Sequence, residues 1–271
     1  MKNKLKAAIY GLAIADAIGV PVEFRKRGSF HVDSMVGHGT HNQPAGTWSD
    51  DTSMTLATCN SIRECGAIDL QDIFEKFRSW YFDDAYTIDG LFDCGNTTGN
   101  ALCSGKGDDS EWANGNGSLM RILPLAFTDA SDQEIEAVSA LTHAHQISKT
   151  ACVIYVGIAR RLLAGESLKS IFRNMECESP FHRIHSIYSL TEEEIKSSGY
   201  VVDTLEAALW AVATTDNYRD AVLKAVNLGS DTDTVAAVAG GLAGIMYGME
   251  GIPEEWIEGL RGKGIINKCL F

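Results

Sequence analysis

The segment GSDTDTVAAVAGGLAGIMY, residues 229–247, begins with alternating Asp and Thr and continues as a run of small apolar residues. Acidic and hydroxyl side chains suit the N-terminus of a helix, and an apolar run without a polar face suits a buried helix. The run is so rich in Ala and Gly that this helix must pack tightly against its neighbours. We therefore predict a buried helix over 235–247, with Asp231, Asp233 and Thr234 clustered at its start.

Helical periodicity recurs through the rest of the chain. A first helix, with Leu5, Ile9, Leu12 and Ala17 on one apolar face, stops near Gly19. The same pattern predicts further helices at 52–64, 69–82, 133–143, 148–164, 204–213 and 217–227, with a short acidic helix near 191–197. The expected N-caps include Asp69, Ser131, Ser148, Thr204 and Asp216. Sustained strand-type alternation is nearly absent, so the fold class is predicted to be all-α.

Polar segments rich in Gly separate the predicted helices. The segments 37–51, 93–99 and 105–118 are too polar and too rich in Gly for helix interiors, so we expect loops that carry function. No stretch has the Pro, Ser or like-charge content of a linker. The expected architecture is a single compact multi-helix domain, 1–271, with a metal-containing cleft formed by loops between helices.

Composition restricts the partners and the location. The net charge of −13 repels phosphate backbones and anionic membranes, so neither duplex nucleic acid nor a membrane is an expected partner. A small anionic ligand can still bind where metal ions or backbone N–H groups supply a positive field. Seven cysteines without a CxxC pair predict free thiols and a cytoplasmic location. The basic and apolar N-terminus resembles a signal peptide only superficially, because Asp16 interrupts it.

A second acidic cluster, Ser49-Asp50-Asp51, stands directly ahead of the helix predicted at 52–64. Each cluster by itself can be explained as an N-cap, because Asp and Ser are preferred caps and acidic residues complement the helix dipole. One cap needs one oxygen, however, and each cluster offers two carboxylates and a hydroxyl. Carboxylates that lie close together repel one another unless cations neutralise them, and their oxygen atoms suit Mg²⁺ or Mn²⁺. The two clusters therefore predict a shared metal site.

Seven motifs occur in order along the chain. They are ADAIG at 15–19, PVEF at 21–24, TWSDDTSM at 47–54, DCGNTT at 93–98, NGNGSLMR at 114–121, LTHAH at 141–145 and GSDTDT at 229–234. In these motifs, which together with their flanks extend over 11–256, the chain resembles the ADP-ribosylglycohydrolases. The resemblance implies a metal-dependent hydrolase that cleaves the glycosidic bond between ADP-ribose and a modified target.

The resemblance also implies a cofactor, two divalent cations that are Mg²⁺ or Mn²⁺. The implied ligands are Ser49, Asp50, Asp51, Asp231, Asp233 and Thr234. The family usually has Thr at the position of Ser49, but a hydroxyl is retained, so ligation is expected to survive. The cations would bind ribose hydroxyls beside the scissile bond and orient an attacking water.

Two residues compete for the role of the general base that deprotonates this water. Family members are ascribed either a Glu at the position of Glu23 or an Asp at the position of Asp93, and this sequence has both. The residues by themselves also fit plainer explanations, namely an exposed loop charge at Glu23 and a turn former at Asp93. The sequence does not choose between the two bases.

The Gly/Asn segment 114–118 precedes a short helix expected at Leu119, an arrangement that aims backbone N–H groups at an anion. Such a segment is usually only a turn, but the resemblance implies that it binds the diphosphate of ADP-ribose. The predicted substrate-binding residues are Asn114, Gly115, Asn116, Gly117, Ser118 and His143. Arg121 would anchor this loop or form an ordinary salt bridge.

Aromatic side chains are expected mainly in the core. Core positions are predicted for Trp80, Trp112, Trp210 and Trp256. Trp112 lies in a loop that flanks a motif, as does Tyr86, so either could instead stack on adenine.

The function expected first is hydrolysis of ADP-ribosyl-arginine on a protein, because the DCGNTT motif with Asp93 resembles the arginine-specific bacterial branch of the family. ADP-ribosylated small molecules and ADP-ribosylated nucleic-acid termini are further substrate classes that the motifs allow. One rival hypothesis is a catalytically silent ADP-ribose-binding or structural protein on the same scaffold. Another is a two-metal phosphoryl-transfer hydrolase, which would need basic residues that the motifs largely lack. The protein is expected to act as a monomer.

Overall fold

The computed structural model describes residues 2–271, of which 62% are helical. Twelve α-helices and no β-strand occur within that range, so the predicted all-α fold class is confirmed. In chain order the α-helices are α1 (Lys2–Gly19), α2 (Asp50–Cys65), α3 (Leu70–Asp83), α4 (Asn96–Ser104), α5 (Asp132–Ala140), α6 (Gln146–Leu163), α7 (Leu168–Arg173), α8 (Val201–Ala213), α9 (Tyr218–Asn227), α10 (Thr232–Tyr247), α11 (Glu254–Gly259) and α12 (Lys263–Cys269). Short 3-10 helices lie between them, at Val20–Val22, Gly39–His41, Leu123–Phe127, His182–Ser189, Glu192–Glu194 and Met249–Gly251.

Helices α1 and α10 pack against each other at the centre of the fold. A Cβ atom added to Gly240 would lie 2.5 Å from the carbonyl oxygen of Gly11, and one added to Gly11 would lie 2.5 Å from the carbonyl oxygen of Gly240. The backbones are therefore too close for any residue but glycine at either position. Every residue of α10 from Thr232 to Ile245 is buried, which confirms the predicted tightly packed helix.

Helix α1 is buried on all sides rather than along one apolar face as predicted. Every residue from Ala7 to Gly19 is buried, because α10, α2, α9 and α11 surround it. Within residues 2–271, the stretch Lys2–Val22 is long and apolar enough to meet the criteria for a membrane span. Burial of 94% of its most apolar window shows that it serves as a core helix of this fold.

The packing of α1 brings the starts of α2 and α10 together. Asp16 of α1 accepts hydrogen bonds from the backbone N–H groups of Ser49 and Thr52, and Thr52 Oγ1 donates to it at 2.6 Å. At the end of α1, the carbonyl oxygen of Gly19 accepts a hydrogen bond from Thr232 Oγ1 at 2.8 Å. Both acidic clusters are therefore held at the C-terminal end of the same buried helix.

Two of the five predicted N-caps are found in the structure. Asp69 and Ser131 cap α3 and α5 as predicted. The caps predicted at Ser148, Thr204 and Asp216 are wrong. The side chains of His145 and Asn217 cap α6 and α9, whereas Tyr200, the N-cap residue of α8, makes no side-chain cap hydrogen bond. His145 Nδ1 accepts from Ile147 N, so a side chain outside the usual capping residues replaces the expected serine.

Several local elements differ from the prediction. Helix α4 begins inside the segment 93–99, which was expected to be a loop, because polar residues are tolerated in a first turn whose N–H groups need no helical partner. The short helix expected at Leu119 is a turn, and helical structure resumes only in the 3-10 helix Leu123–Phe127. The acidic helix near 191–197 is reduced to Glu192–Glu194. Helices α7, α11 and α12 span too few residues to show a clear periodicity in sequence.

Three of the four tryptophans expected in the core are buried, namely Trp80, Trp210 and Trp256. The prediction for Trp112 is wrong, since 93% of this residue is exposed to solvent. It lies in a turn beside Gly115, where no apolar element covers it. All seven cysteines are free, as predicted.

Candidate active site and metal centre

The two acidic clusters, 183 residues apart in sequence, meet in space. Thr234 Oγ1 donates a hydrogen bond to Asp51 Oδ2 at 3.3 Å, and Ser49 Oγ donates to the same oxygen at 2.9 Å. The capping explanation holds for Ser49, whose Oγ also accepts from Asp51 N. It does not hold for Asp231, which stands at the N-cap of α10 without a side-chain cap hydrogen bond. At the start of α10, Asp233 Oδ1 accepts a hydrogen bond from Thr234 N, whereas the N-cap residue Asp231 does not cap the helix with its side chain.

Several carboxylate oxygens in this cluster are buried without a partner. Asp51 Oδ1, Asp231 Oδ1 and Asp233 Oδ2 accept no hydrogen bond from residues 2–271. Buried charged oxygens are normally paired, because leaving them unsatisfied costs several kilocalories per mole in free energy. These three atoms therefore point to a cation that completes their coordination.

Two groups of acidic side chains are compact enough to hold such a cation. Ligand atoms of Asp16, Asp51 and Asp233 all lie within 4.8 Å of one another, and so do those of Glu23, Asp231 and Asp233. Asp233 belongs to both groups, so the groups adjoin. Hard carboxylate oxygens are the ligands that divalent cations such as Mg²⁺ prefer. The donor set therefore fits a divalent metal.

The electrostatics of the cluster favour cation binding. Burial raises the pKa of Asp16 to about 6. Burial also raises the pKa of Glu23 to about 10, and the negative charges of Asp93 and Asp231 add to this effect. The pKa values of Asp51 and Asp233 are raised well above the usual range, again by burial first and by neighbouring carboxylates second. A bound cation would relieve both the desolvation and the repulsion.

We expect the metal-free protein to lose stability as the pH rises. A carboxyl whose pKa is higher in the folded than in the unfolded chain contributes stability at low pH, and this contribution is lost as the pH rises through the folded pKa. For Asp16 and Glu23, with pKa values raised to about 6 and to about 10, the loss starts above about pH 4 and extends through neutral pH. In EDTA the melting temperature should therefore fall between about pH 5 and about pH 8.

Adding Mg²⁺ should restore more of the melting temperature at the upper end of this range, because cations bind the deprotonated carboxylates. A melting temperature in EDTA that rises from about pH 5 to about pH 8 would contradict a cluster of mutually repelling carboxylates.

Glu23 is buried, so the explanation as an exposed loop charge is wrong. Its Oε2 is hydrogen-bonded to His41 Nε2, and its carbonyl oxygen accepts from Thr40 Oγ1 at 2.7 Å. The ring of His41 packs against that of Phe92, with centroids 5.3 Å apart. His41 therefore orients one of the two candidate bases, a contact that the polar segment 37–51 did not reveal in sequence.

Asp93 lies on the same side of the cleft and is partly buried. One carboxylate oxygen of Asp93, one of Glu23 and one ring nitrogen of His41 all lie within 4.8 Å of one another. Burial raises the pKa of Asp93, while the nearby His41 opposes this shift. Asp93 and Glu23 thus face the same space beside Asp50, and either could reach a water bound there.

A cleft of about 360 Å³ lies over the carboxylates. Glu23, Asp50, Asp93, Asp231 and Thr234 line one part of it. The buried residues Ser49, Asp51 and Asp233 lie deeper and do not line it. The opposite part is lined by residues that include Gly115, Asn116, Gly117, His143, Gly199 and the first turn of α4, Asn96, Thr97 and Thr98.

The Gly/Asn segment is tied to the acidic cluster. Asn116 Nδ2 donates to Asp231 Oδ2 and to Thr204 Oγ1, both at 2.9 Å. Two residues of this segment, Asn114 and Ser118, were predicted to bind substrate but do not line the cleft. Asn114 instead accepts a hydrogen bond from Ser148 Oγ, and Ser118 accepts one from Ser139 Oγ. These two side chains connect the loop to α6 and α5 and do not face the cleft.

Sequence reasoning missed several residues of the site. In the sequence Asp16 interrupts an apolar run within the motif ADAIG, and no local pattern indicates that it lies beside the acidic clusters. His41 and the start of α4 belong to segments read as loops. Gly199 carried no signal, because its place in the cleft depends on the irregular segment that precedes α8.

The chain is similar in sequence and in fold to known proteins. A family model described as ADP-ribosylglycohydrolase matches residues 1–270. ADP-ribosylarginine hydrolase Tri1 of Serratia proteamaculans (strain 568) is 38% identical over 280 residues, covering 95% of this chain and 75% of that protein. ADP-ribosyl-[dinitrogen reductase] glycohydrolase of Rhodospirillum rubrum is 31% identical, covering 95% of this chain and 90% of that protein. A solved structure titled ADP-ribosylglycohydrolase-related protein complex superposes with a TM-score of 0.84 at 30% identity, over 99% of this chain and 96% of its own.

Proposed function

Given that the chain belongs to the ADP-ribosylglycohydrolase family and is a hydrolase of the glycosidic bond to ADP-ribose, we propose that its substrate is ADP-ribosyl-arginine on a protein. The observation that carries the proposal is the cleft with unpaired, buried carboxylate oxygens beneath it. Similarity at 37–38% identity to two proteins named ADP-ribosylarginine hydrolase supports the choice of arginine. The free thiols of this chain also support a cytoplasmic location.

We further propose that the carboxylates hold two divalent cations, Mg²⁺ or Mn²⁺. The proposed ligands are Ser49, Asp50, Asp51, Asp231, Asp233 and Thr234. Among the proposed ligands, Asp51 and Asp231 belong to two different acidic groups that share Asp233, which supports a centre with two cations. When bound, such cations act as Lewis acids and bind ribose hydroxyls and water.

The residues of the chain supply proton transfer and orientation. Asp93 or Glu23 accepts the proton of the attacking water, since both carboxylates face the cleft. Asn116 bridges Asp231 to α8 and so keeps the Gly/Asn segment at a set distance from the acidic cluster. Reacting groups held in this way need less loss of motional freedom to reach the transition state.

The diphosphate of ADP-ribose is proposed to bind along Gly115, Asn116 and Gly117. Asn116 N is already used, because it donates to the carbonyl oxygen of Gly199 at 3.0 Å. The N–H group of Gly117, which lines the cleft, donates to no backbone carbonyl among residues 2–271. This N–H group and His143 are donors available to an anion in a chain whose net charge is negative.

The position of Phe24 supports the choice of a substrate with a cationic leaving group such as arginine. Its side chain lines the mouth of the cleft and is 68% exposed, and its backbone has a φ of 62°, which is unfavourable for a bulky residue. Strain of this kind is retained at functional sites. An aromatic face next to the carboxylates of Glu23 and Asp93 suits a planar guanidinium.

The proposal is tested by incubating the protein with Mg²⁺ or Mn²⁺ and proteins carrying ADP-ribose on arginine, serine or cysteine. We expect ADP-ribose to be released fastest from arginine and the release to stop in EDTA. Fastest release from serine or cysteine would overturn the choice of substrate. Binding of ADP-ribose without any release would instead identify a silent binding protein.

Replacing Phe24 with Leu should raise KM for the ADP-ribosyl-arginine substrate by roughly threefold to thirtyfold, the size of a cation–π contact, with a small effect on kcat. Phe82→Leu is the matched control, because Phe82 is also exposed and lies outside the residues that line the cleft. An equal effect of both substitutions, or none from Phe24→Leu, would remove Phe24 from substrate recognition.

A further inference from the structure

Arg121 is a buried cation that the hydrolytic site does not use. It is fully buried, and its guanidinium lies over the ring of Phe77, 4.4 Å from the centroid. The salt bridge considered from sequence is absent among residues 2–271, and Arg121 Nη1 instead donates to the carbonyl oxygen of Val138. Burial lowers the pKa of Arg121 to about 10, so it still carries its charge at neutral pH.

A chain of hydrogen bonds leads from Arg121 to the cleft. Arg121 Nη2 donates to Thr142 Oγ1 at 2.8 Å, and Thr142 Oγ1 lies 2.9 Å from His143 Nδ1. All three residues are buried. A guanidinium can only donate, so the threonine oxygen must accept from it. The single hydrogen of this hydroxyl is then available to His143 Nδ1.

The direction of these bonds determines which ring nitrogen of His143 carries the proton. If Nδ1 carried it, Thr142 Oγ1 would accept two hydrogen bonds, and its own hydrogen would have no acceptor among the described residues. A buried donor without an acceptor is costly, so this arrangement is disfavoured. Nδ1 therefore accepts, and the neutral imidazole must carry its proton on Nε2.

We propose that Arg121 and Thr142 are positioning residues that hold His143 as the Nε2–H tautomer, which then donates a hydrogen bond to an acceptor oxygen of bound ADP-ribose. His143 lines the cleft, and its Nε2 hydrogen-bonds to no residue within 2–271. A Cβ atom added to Gly115 would lie 3.5 Å from this nitrogen, and one added to Gly117 would lie 3.3 Å from it. The Nε2–H group therefore reaches the cleft between the two glycines of the loop.

The charges around the ring keep it neutral. Burial lowers the pKa of His143 to about 3, with the positive charge of Arg121 adding to this effect and Asp108 opposing it. A neutral imidazole with one defined tautomer is a permanent donor, unlike an imidazole that exchanges its proton between both nitrogens. The Nε2–H group of His143 therefore favours a ligand atom that accepts a hydrogen bond, and a phosphate oxygen is such an atom.

The first part of the test is the protonation state of His143 in the unliganded protein, measured by two-bond ¹⁵N–¹H correlation spectra and assigned with a His143→Gln variant. We expect the wild type to show protonated Nε2 and unprotonated Nδ1 at neutral pH. Protonation at Nδ1, or at both nitrogens, would overturn the proposal without any variant. This measurement does not depend on hydrolysis, so its failure is distinct from failure of the proposed function.

The second part uses Thr142→Val, which removes the hydroxyl at nearly constant volume, and Thr142→Ser, which keeps it. Thr142→Val should give a mixture of tautomers and raise the Kd for free ADP-ribose about tenfold, as for loss of one hydrogen bond to a charged group. Thr142→Ser should restore both the tautomer and the affinity. A single Nε2–H tautomer in Thr142→Val, or an unchanged Kd, would overturn the role of Thr142. The affinity comparison rests on the proposed function, whereas the tautomer measurement does not.

Discussion

Replacing Asp233 with Ala is expected to lower kcat/KM by roughly a thousandfold or more at limiting Mg²⁺, because a lost metal ligand removes several kilocalories per mole of transition-state stabilisation. Asp233 belongs to both acidic groups, and its Oδ2 is buried without a hydrogen-bond partner. The substitution should also abolish most of the rise in melting temperature that Mg²⁺ produces in the wild type by binding only the folded state. Excess Mn²⁺ should recover the activity in part, since it binds oxygen ligands somewhat more tightly than Mg²⁺.

The metal-free variant gives a further distinction. If Asp233 is a metal ligand, Asp233→Ala should be at least as stable as the wild type in EDTA, because one of several repelling buried carboxylates has been removed. If Asp233 only stabilised the helix start, the variant would lose about 1 kcal/mol in the free energy of unfolding at unchanged kcat. Asp132→Ala is the matched control, since Asp132 is an exposed acidic residue in the first turn of α5. A wild type whose stability ignores Mg²⁺ and whose turnover survives EDTA would end the metal model.

Asp93→Asn is expected to lower kcat by roughly a hundredfold or more with little change in substrate affinity, the effect of losing a general base. Asp93 is preferred over Glu23 as the base for two reasons. One oxygen of Glu23 is engaged by His41, and burial raises the pKa of Glu23 to about 10, which favours its protonated form before a cation binds. Burial also raises the pKa of Asp93, but there the nearby His41 opposes the shift. The pH–rate profile of Asp93→Asn should lose its acidic limb.

Glu23→Gln provides the comparison, and we expect it to reduce kcat less than Asp93→Asn does. Asp89→Asn is a control in the same loop, because Asp89 is paired with Arg261 on the surface, away from the cleft lining. The reverse order of effects, with the acidic limb lost in Glu23→Gln, would assign the base to Glu23. Activity close to that of the wild type in both variants would exclude a side-chain base.

The sequence was sufficient wherever a short stretch carried its own physical signal. The long helices were predictable because apolar residues recur at a helical period over several turns, and Asp69 and Ser131 marked two starts correctly. The motif order identified the family, and the surplus of carboxylates in 49–51 and 231–234 identified the metal ligands to propose. These features depend on residues within a few positions of one another.

Other features were decided only by packing between distant segments. The approach of Gly11 to Gly240 places the end of α1 against the start of α10, and this contact brings Asp51 within reach of Thr234. The pairing of His41 with Glu23 likewise joins two loops whose positions no local pattern specifies.

The sequence by itself determined that the chain is all-helical, belongs to this family and offers two carboxylate clusters for a metal. Tertiary structure alone decided which of those oxygens lack partners, that Trp112 is exposed to solvent, and that Arg121 is hydrogen-bonded to Thr142 beside His143. The physical reason is one of range. Helix periodicity and capping are set by hydrogen bonds that span about four residues, whereas burial and hydrogen-bond partners depend on which helix faces meet after the whole chain has packed.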